Sequence, residues 1–296
     1  MLSVDQVEKR FGAVQALDGC SLRVERGRQV GLLGQNGAGK TTLMRSIFGL
    51  VALDGGTVTW DGDPIGGAVR ARFGYLPEER GLYPAMGVHE QLVHLARLHG
   101  LGRTEAEAAS RRRLEEVGLA DRADDRVEAL SHGNQQRAQL AAAVVHEPDL
   151  LVLDEPFAGL DPLGVDAMGQ VLRAEVERGA AVLFSSHQLD LVESRCDDVV
   201  IIDRGRDVLA GPLAEVRAGS DRRRVEVAFA ADVRAEQLTA AGLTVLGDRD
   251  GLLLLSAPAD RDPAGVLAQL QRLGEVRRFA FEPPHLSDLY REAVQG

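Results

Sequence analysis

"GLLGQNGAGKTTLMR", residues 31–45, decides the fold. The apolar run "QVGLL" before the loop reads as a short buried strand, and "TTLMRSIFGL" after it reads as a helix. Gly34-x-x-x-x-Gly39-Lys40-Thr41 therefore sits between a strand and a helix, the context a phosphate-binding loop requires. Gly34, Gly37 and Gly39 let the backbone fold around a di- or triphosphate with N–H groups pointing inward. Lys40 offers a point charge to the β- and γ-phosphates and Thr41 a hydroxyl to Mg²⁺. With Gln35, Asn36, Ala38 and Thr42 these residues form the expected phosphate cradle. The chain's basic residues are almost all arginine, and its only lysines are Lys9 and Lys40, so a lysine here answers a chemical need.

The rest of the composition narrows the partners. A chain of 296 residues, 45% of them hydrophobic, is long enough for about two globular domains. A formal net charge of -11 argues against a nucleic-acid surface, which needs clustered Lys and Arg. The runs Arg111-Arg112-Arg113 and Arg222-Arg223-Arg224 read as solvated faces or edges. Cys20 and Cys196 lie far apart without CxxC spacing, which predicts neither a metal site nor a disulfide framework and fits a reducing cytoplasm. The opening "MLSVDQVEKRFG" lacks the basic and apolar regions of a secretion signal, and no apolar run approaches the ~18 residues of a membrane span. Any membrane role is expected to come through a partner.

Downstream, "DLLVLDEPFAGLDP" (149–162) places four apolar residues, Leu150 to Leu153, in a buried parallel strand whose C-terminal end carries Asp154 and Glu155. On its own such a pair suits a helix cap or a surface charge equally well. Beside a phosphate loop it makes a hydrolysis site, in which Asp154 holds Mg²⁺ and Glu155 polarises the attacking water. A third strand, "AAVLFSSHQ" (180–188), ends in His187, which would contact the γ-phosphate. "LSHGNQQR" opens a helix with an exposed hydroxyl at Ser131 and a glycine at Gly133, an arrangement suited to an anion.

The phosphate loop, "LSHGNQQR", "LVLDEP", "GLDP" and "SSH", in this order and spacing, resemble the ATP-binding subunit of an ABC transporter over residues 1 to about 218. The resemblance implies an ATPase that uses ATP and Mg²⁺, pairs with a second nucleotide-binding subunit, in the simplest case as a homodimer, and drives a separate membrane permease. Such a subunit is cytoplasmic and held on the inner face of the membrane through that permease. Position by position, it implies that Phe11 stacks on adenine, that Ser131 and Gly133 contact a γ-phosphate, and that Asp161 touches the opposite subunit's site. The wording "YLPEERGLYP" resembles a bacterial subset with export-type permeases.

Two departures stand out. The signature's first glycine is His132 and its final glutamine is Asn134. In "FGYLPEERGLYP" (73–84), Glu78 stands where the family usually has a glutamine that reaches Mg²⁺ or the lytic water. A carboxylate can still ligate magnesium, yet it adds like-charge repulsion beside a γ-phosphate.

The expected fold class is α/β: a P-loop core with an antiparallel β subdomain and a helical insert, followed by a small ferredoxin-like α+β domain. The nucleotide-binding domain is expected over 1–218, with the insert at about 86–148, and the accessory domain over 222–296. In the family, the insert and the Glu78 loop form the groove that receives a short helix of the permease. The rival reading is a soluble ABC-type ATPase of translation or DNA repair. One cassette without a long heptad run favours transport.

Overall fold

The structure is a computed structural model that describes residues 1–79 and 81–295. It divides into two compact units, Met1–Gly211 and Pro212–Gly296.

The first unit begins with the long antiparallel strands β1 (Leu2–Phe11) and β2 (Val14–Val24), then β3 (Gln29–Leu33) and helix α1 (Lys40–Ile47). There follow β4 (Gly55–Trp60), the short β5 (Asp63–Pro64), α2 (Gly67–Arg70) and β6 (Phe73–Leu76). The insert contributes α3 (Val88–Leu98), α4 (Arg103–Glu116) and α5 (His132–Val144). The chain returns through β7 (Leu150–Leu153), α6 (Pro162–Glu177), β8 (Ala181–Ser186), α7 (Leu189–Arg195), β9 (Asp198–Asp203) and β10 (Arg206–Pro212). Two sheets result, one ordered β2-β1-β4-β5 and the other β10-β9-β3-β8-β7-β6. In the second, β3 lies parallel to β8 and β9, and β7 lies parallel to β6 and β8.

Every residue of β3, β7 and β8 is buried, as expected of central parallel strands covered on both faces. Helix α1 is fixed from its buried side: Leu43, Met44 and Ile47 are fully buried in one cluster with Val4 and Leu22 of the first sheet and Leu32, Val152 and Leu183 of the second. Each such side chain contributes about 1.5–3 kcal/mol by leaving water, so the N-terminus of α1 is held where β3 delivers it.

In the insert, α3 packs on α4 and both pack on α5. The arginine run at 111–113 is only partly a solvated face. Helical spacing turns Arg113 inward with Ala109, Ser110 and Leu114, where it is 5% exposed and pairs at 2.7 Å with the buried Glu175 of α6. Arg111 and Arg112 remain exposed.

The second unit opens with α8 (Leu213–Ala218), which lies inside the 1–218 span expected of the first domain. It continues as β11 (Arg222–Phe229), α9 (Ala235–Ala240), β12 (Thr244–Arg249), β13 (Leu252–Pro258), α10 (Pro263–Leu273), β14 (Val276–Glu282) and α11 (Leu286–Gln295). Its sheet runs β12-β13-β11-β14 with all neighbours antiparallel, a ferredoxin-like order. Along β11 alternate residues face opposite ways: Val225 and Val227 join Leu238, Val266 and Leu270 in a core, which leaves Arg222, Arg224 and Glu226 on the other face. Among the described residues, no helix is long and apolar enough to cross a membrane.

Candidate active site

The site grows from the strand-to-helix turn after β3. Gly39, the N-cap of α1, has φ +112°, and a Cβ there would stand 2.5 Å from the carbonyl oxygen of Ala16, so only glycine allows the loop to close onto β2. The first N–H groups of α1 have no intrahelical acceptor and carry the positive end of the helix dipole. The Lys40 ammonium, 8% exposed, folds back over the loop and donates to the carbonyls of Gly34 (2.7 Å) and Gln35 (3.3 Å).

Opposite the loop stand the ends of β7 and β8. Asp154 is 1% exposed; its Oδ1 accepts the Ser185 hydroxyl at 2.6 Å, while its Oδ2 is buried without a hydrogen-bond partner among the described residues. The Ser185 hydroxyl oxygen in turn accepts the Glu155 N–H at 2.8 Å. Glu155 adopts φ +50°, a conformation that costs a non-glycine residue about 1 kcal/mol or more. It lies at the turn where the carboxylate meets His187 Nδ1 at 3.0 Å. Gln35, Asn36, Gly37, Gly39, Lys40, Thr41, Thr42, Glu78, Asp154 and Glu155 surround an open cavity of about 290 Å³, closed on one side by Val14 and Ala16. Phe11 is 50% exposed beyond this lining, with the Lys9 ammonium 5.3 Å above its ring. Gly34 and Ala38 are not in this lining; a Cβ at Gly34 would stand 2.5 Å from the Ile202 carbonyl oxygen and 3.0 Å from Ala38 Cβ.

Ser131, Gly133 and Asp161 are not in that lining. Ser131 caps α5, accepting the Asn134 N–H at 3.3 Å, and Asp161 caps α6, accepting the Gly164 N–H at 2.8 Å. The two caps are neighbours, since Gly133 lies beside Leu160 and the His132 ring occupies the space a side chain at Gly159 would need, 2.5 Å from a Cβ there. Gly159 has φ +72° as well, so the histidine of the signature and the glycine of the "AGLDP" loop fit as a pair.

Sequence reasoning missed two parts. Ser185 is one; its signal was the "SS" before His187. The other is a chain of amides on α5. Gln139 Oε1 accepts the Gly81 N–H at 2.8 Å, Gln139 Nε2 donates to Gln136 Oε1 at 3.2 Å, and Gln136 Nε2 donates to the Pro156 carbonyl at 3.0 Å. This links the Glu78 loop to the peptide after Glu155. The signal was glutamine at buried helical positions, 135, 136 and 139, where apolar residues are the norm.

A second cavity, about 380 Å³, lies where the insert meets the core and is lined by Phe48, Phe73, Tyr75, Leu82, Leu95, His99 and His146, among others. The last two stack, ring centroids 3.6 Å apart and 14° from parallel. Burial first, then His99, Arg113 and Arg178, push the pKa of His146 down to about 4.

A phosphate loop opening a helix, with an acidic strand end facing it, defines a P-loop nucleoside triphosphatase. A family model described as ABC transporter matches residues 17–158. The chain is 40% identical to the ABC transporter ATP-binding protein YhaQ of Bacillus subtilis (strain 168), over 99% of this chain and 98% of that protein. It is 37% identical to the daunorubicin resistance ATP-binding protein DrrA3 of Streptomyces coeruleorubidus, over 98% of this chain and 94% of that one. A solved ATP-binding subunit of an ABC transporter superposes with a TM-score of 0.69 at 33% identity, covering 74% of this chain and 92% of its own. The chain belongs to the ABC transporter ATP-binding proteins and is an ATPase.

Proposed function

We propose that this ATPase works as a homodimer with two shared sites and powers an exporter through a separate membrane permease. One observation carries the reading: a single chain holds two incomplete halves. The cavity gathers the phosphate loop, Glu78, Asp154 and Glu155, whereas Ser131, Gly133 and Asp161 form a second group outside it. Ser131 and Asp161 are exposed, and Leu163 beside them is 78% exposed, a large apolar side chain on a face with a reason to be covered. Across a dimer the second group completes the first.

Within each site Lys40 releases the Gly34 and Gln35 carbonyls and takes the β- and γ-phosphate oxygens, while the first-turn amides of α1 receive the same charge. Phe11 and the apolar Val14 flank the side from which the base enters. The unpartnered Oδ2 of Asp154, the Thr41 hydroxyl and the Glu78 carboxylate suit a hard divalent cation, and Mg²⁺ fits there. When bound, magnesium would neutralise charge on the phosphates. Glu155 accepts the proton of the attacking water, and His187 holds the carboxylate and reaches the γ-phosphate.

The larger cavity beside α3 and α5 supports docking of a short permease helix, which would hold the subunit on the cytoplasmic face of the membrane. The resistance function in the name of the Streptomyces relative supports outward transport. The test is sedimentation of Glu155→Gln with and without Mg·ATP. A stable dimer only with ATP is the expected result; a monomer under both conditions overturns the shared-site reading.

A further inference from the structure

The second arginine run does not lie on an open surface. Arg222 and Arg224, on the face of the C-terminal sheet opposite its core, line a cavity of about 360 Å³ together with Arg223 and with Arg291 and Glu292 of α11. Ser256, Asp288, Leu246 and Pro284 complete the wall.

The guanidinium groups are held in place. Asp288, 8% exposed, accepts Arg224 Nη1 at 3.2 Å on one oxygen and Arg291 Nη2 at 2.6 Å on the other. Arg224 also pairs with Glu226 at 3.3 Å. Arg222 donates from Nε to the Ser256 hydroxyl at 2.8 Å and from Nη2 to Thr244 Oγ1 at 3.2 Å. Arg223 is spent on backbone carbonyls of Ala218, Ser220 and Arg222. After these bonds Nη1 of Arg222, Nη2 of Arg224 and Nη1 of Arg291 keep no hydrogen-bond partner among the described residues. Arginines outnumber the carboxylates of Asp288 and Glu292 in the wall of this cavity, in a chain whose net charge is -11. Burial, with the nearby Asp221 and Asp288 carboxylates, raises the pKa of Glu292.

We propose that this cavity is a binding site for a small molecule bearing a phosphate dianion next to an apolar edge. Guanidinium forks anchored by a buried carboxylate are pre-organised for the tetrahedral oxygens of a phosphate, and the excess of arginine over carboxylate in the wall suits its negative charge. Leu246, 38% exposed, and Pro284 supply the apolar edge. Nothing in the ATP site contributes to it, so the accessory domain has a ligand of its own.

The test is calorimetric titration of the full chain with inorganic phosphate, with phenyl phosphate, and with phosphatidylcholine vesicles containing phosphatidic acid. Each is repeated on Lys40→Ala, which disables the phosphate loop, on Arg222→Gln/Arg291→Gln, and on Leu246→Glu. Phenyl phosphate should bind wild type and Lys40→Ala alike and more tightly than inorganic phosphate. The double arginine variant should weaken it about tenfold or more, the weight of one charge-assisted hydrogen bond. Leu246→Glu changes an exposed side chain, leaves the arginine network untouched, and should weaken binding by repulsion even where the double variant folds poorly. Loss of binding in Lys40→Ala alone, affinity unchanged by Leu246→Glu, or binding to the vesicles without binding to phenyl phosphate would each overturn the proposal.

Discussion

Glu155 and His187 meet carboxylate to imidazole, Oε2 to Nδ1 at 3.0 Å, at the ends of the adjacent parallel strands β7 and β8. The contact follows from register: Leu153 pairs with Phe184, so the residues just beyond the two strands emerge on the same rim. Glu155→Gln should lower turnover by on the order of 10²–10⁴, since an amide cannot accept the proton of water, yet leave ATP affinity within about threefold of wild type. Lys40→Ala should instead lose nucleotide affinity. Steady-state phosphate release and equilibrium binding of ATP separate the two effects, and full turnover in Glu155→Gln would remove that residue from the catalytic role.

Glu78 stands among Thr41, Asp154 and Glu155 around one cavity, so its carboxylate either shares the divalent cation or opposes the γ-phosphate. As a ligand it is replaceable by the neutral oxygen of an amide. Glu78→Gln should keep most of the hydrolysis rate, and Glu78→Ala should shift the Mg²⁺ concentration for half-maximal rate upward by roughly tenfold. A magnesium titration of Glu78→Ala that overlays wild type sinks the ligand role.

His146 predicts an acid sensitivity that lies away from the chemistry. Its Nε2 donates to the Phe73 carbonyl at 3.2 Å, which leaves Nδ1 buried, without a partner among the described residues, against the stacked His99. A proton there would be buried, would face His99, and would add to the positive charge of Arg113 and Arg178, so the pKa falls from 6.5 to about 4. The unfolded chain takes up that proton below its ordinary value while the native state refuses it. Stability is therefore complete above about pH 6.5, falls as pH drops toward about 4, and levels off below, a total on the order of 3 kcal/mol. Urea midpoints at about pH 7.5 and about pH 5 should diverge in wild type and move closer in His146→Gln. Equal divergence in both proteins would assign the acid sensitivity to other groups.

The parts of this site legible in the sequence are those with a local cause. The phosphate loop, the Asp154-Glu155 pair and the helix start at Ser131 each depend on a few consecutive residues meeting a strand end or a helix start, whereas the cap that Asp161 places on α6 was not read from them. The element order of the C-terminal unit was legible for the same reason, because apolar alternation and helical spacing are short-range signals. What was not legible depends on distant pairing. Arg113 is buried because Glu175, on another helix, waits for it, and the arginines at 222–224 line a cavity because the sheet places α11 over them. The glutamines of α5 carry no local signal of their partners, and only the fold shows that Gln139 reaches Gly81 while Gln136 reaches Pro156.

The shared site gives the most demanding prediction. Ser131 is exposed, its hydroxyl accepts only the Asn134 N–H among the described residues, and it lies outside the lining of its own chain's cavity. If the anion it serves is the γ-phosphate on a second copy, Ser131→Arg damages the partner's site by filling that space, whereas Lys40→Ala damages its own. A mixture of the two mutant chains then contains a dimer with both defects in one site and none in the other. With Glu155→Gln in every chain to prevent turnover, neither mutant alone should associate on addition of Mg·ATP, and the mixture should recover association, because only unlike pairs hold an intact site. Cross-linking yield against ATP concentration measures it. Ser131→Arg on its own is the decisive control, because an ATP-dependent homodimer of that variant with unaltered affinity would show that Ser131 faces no partner phosphate.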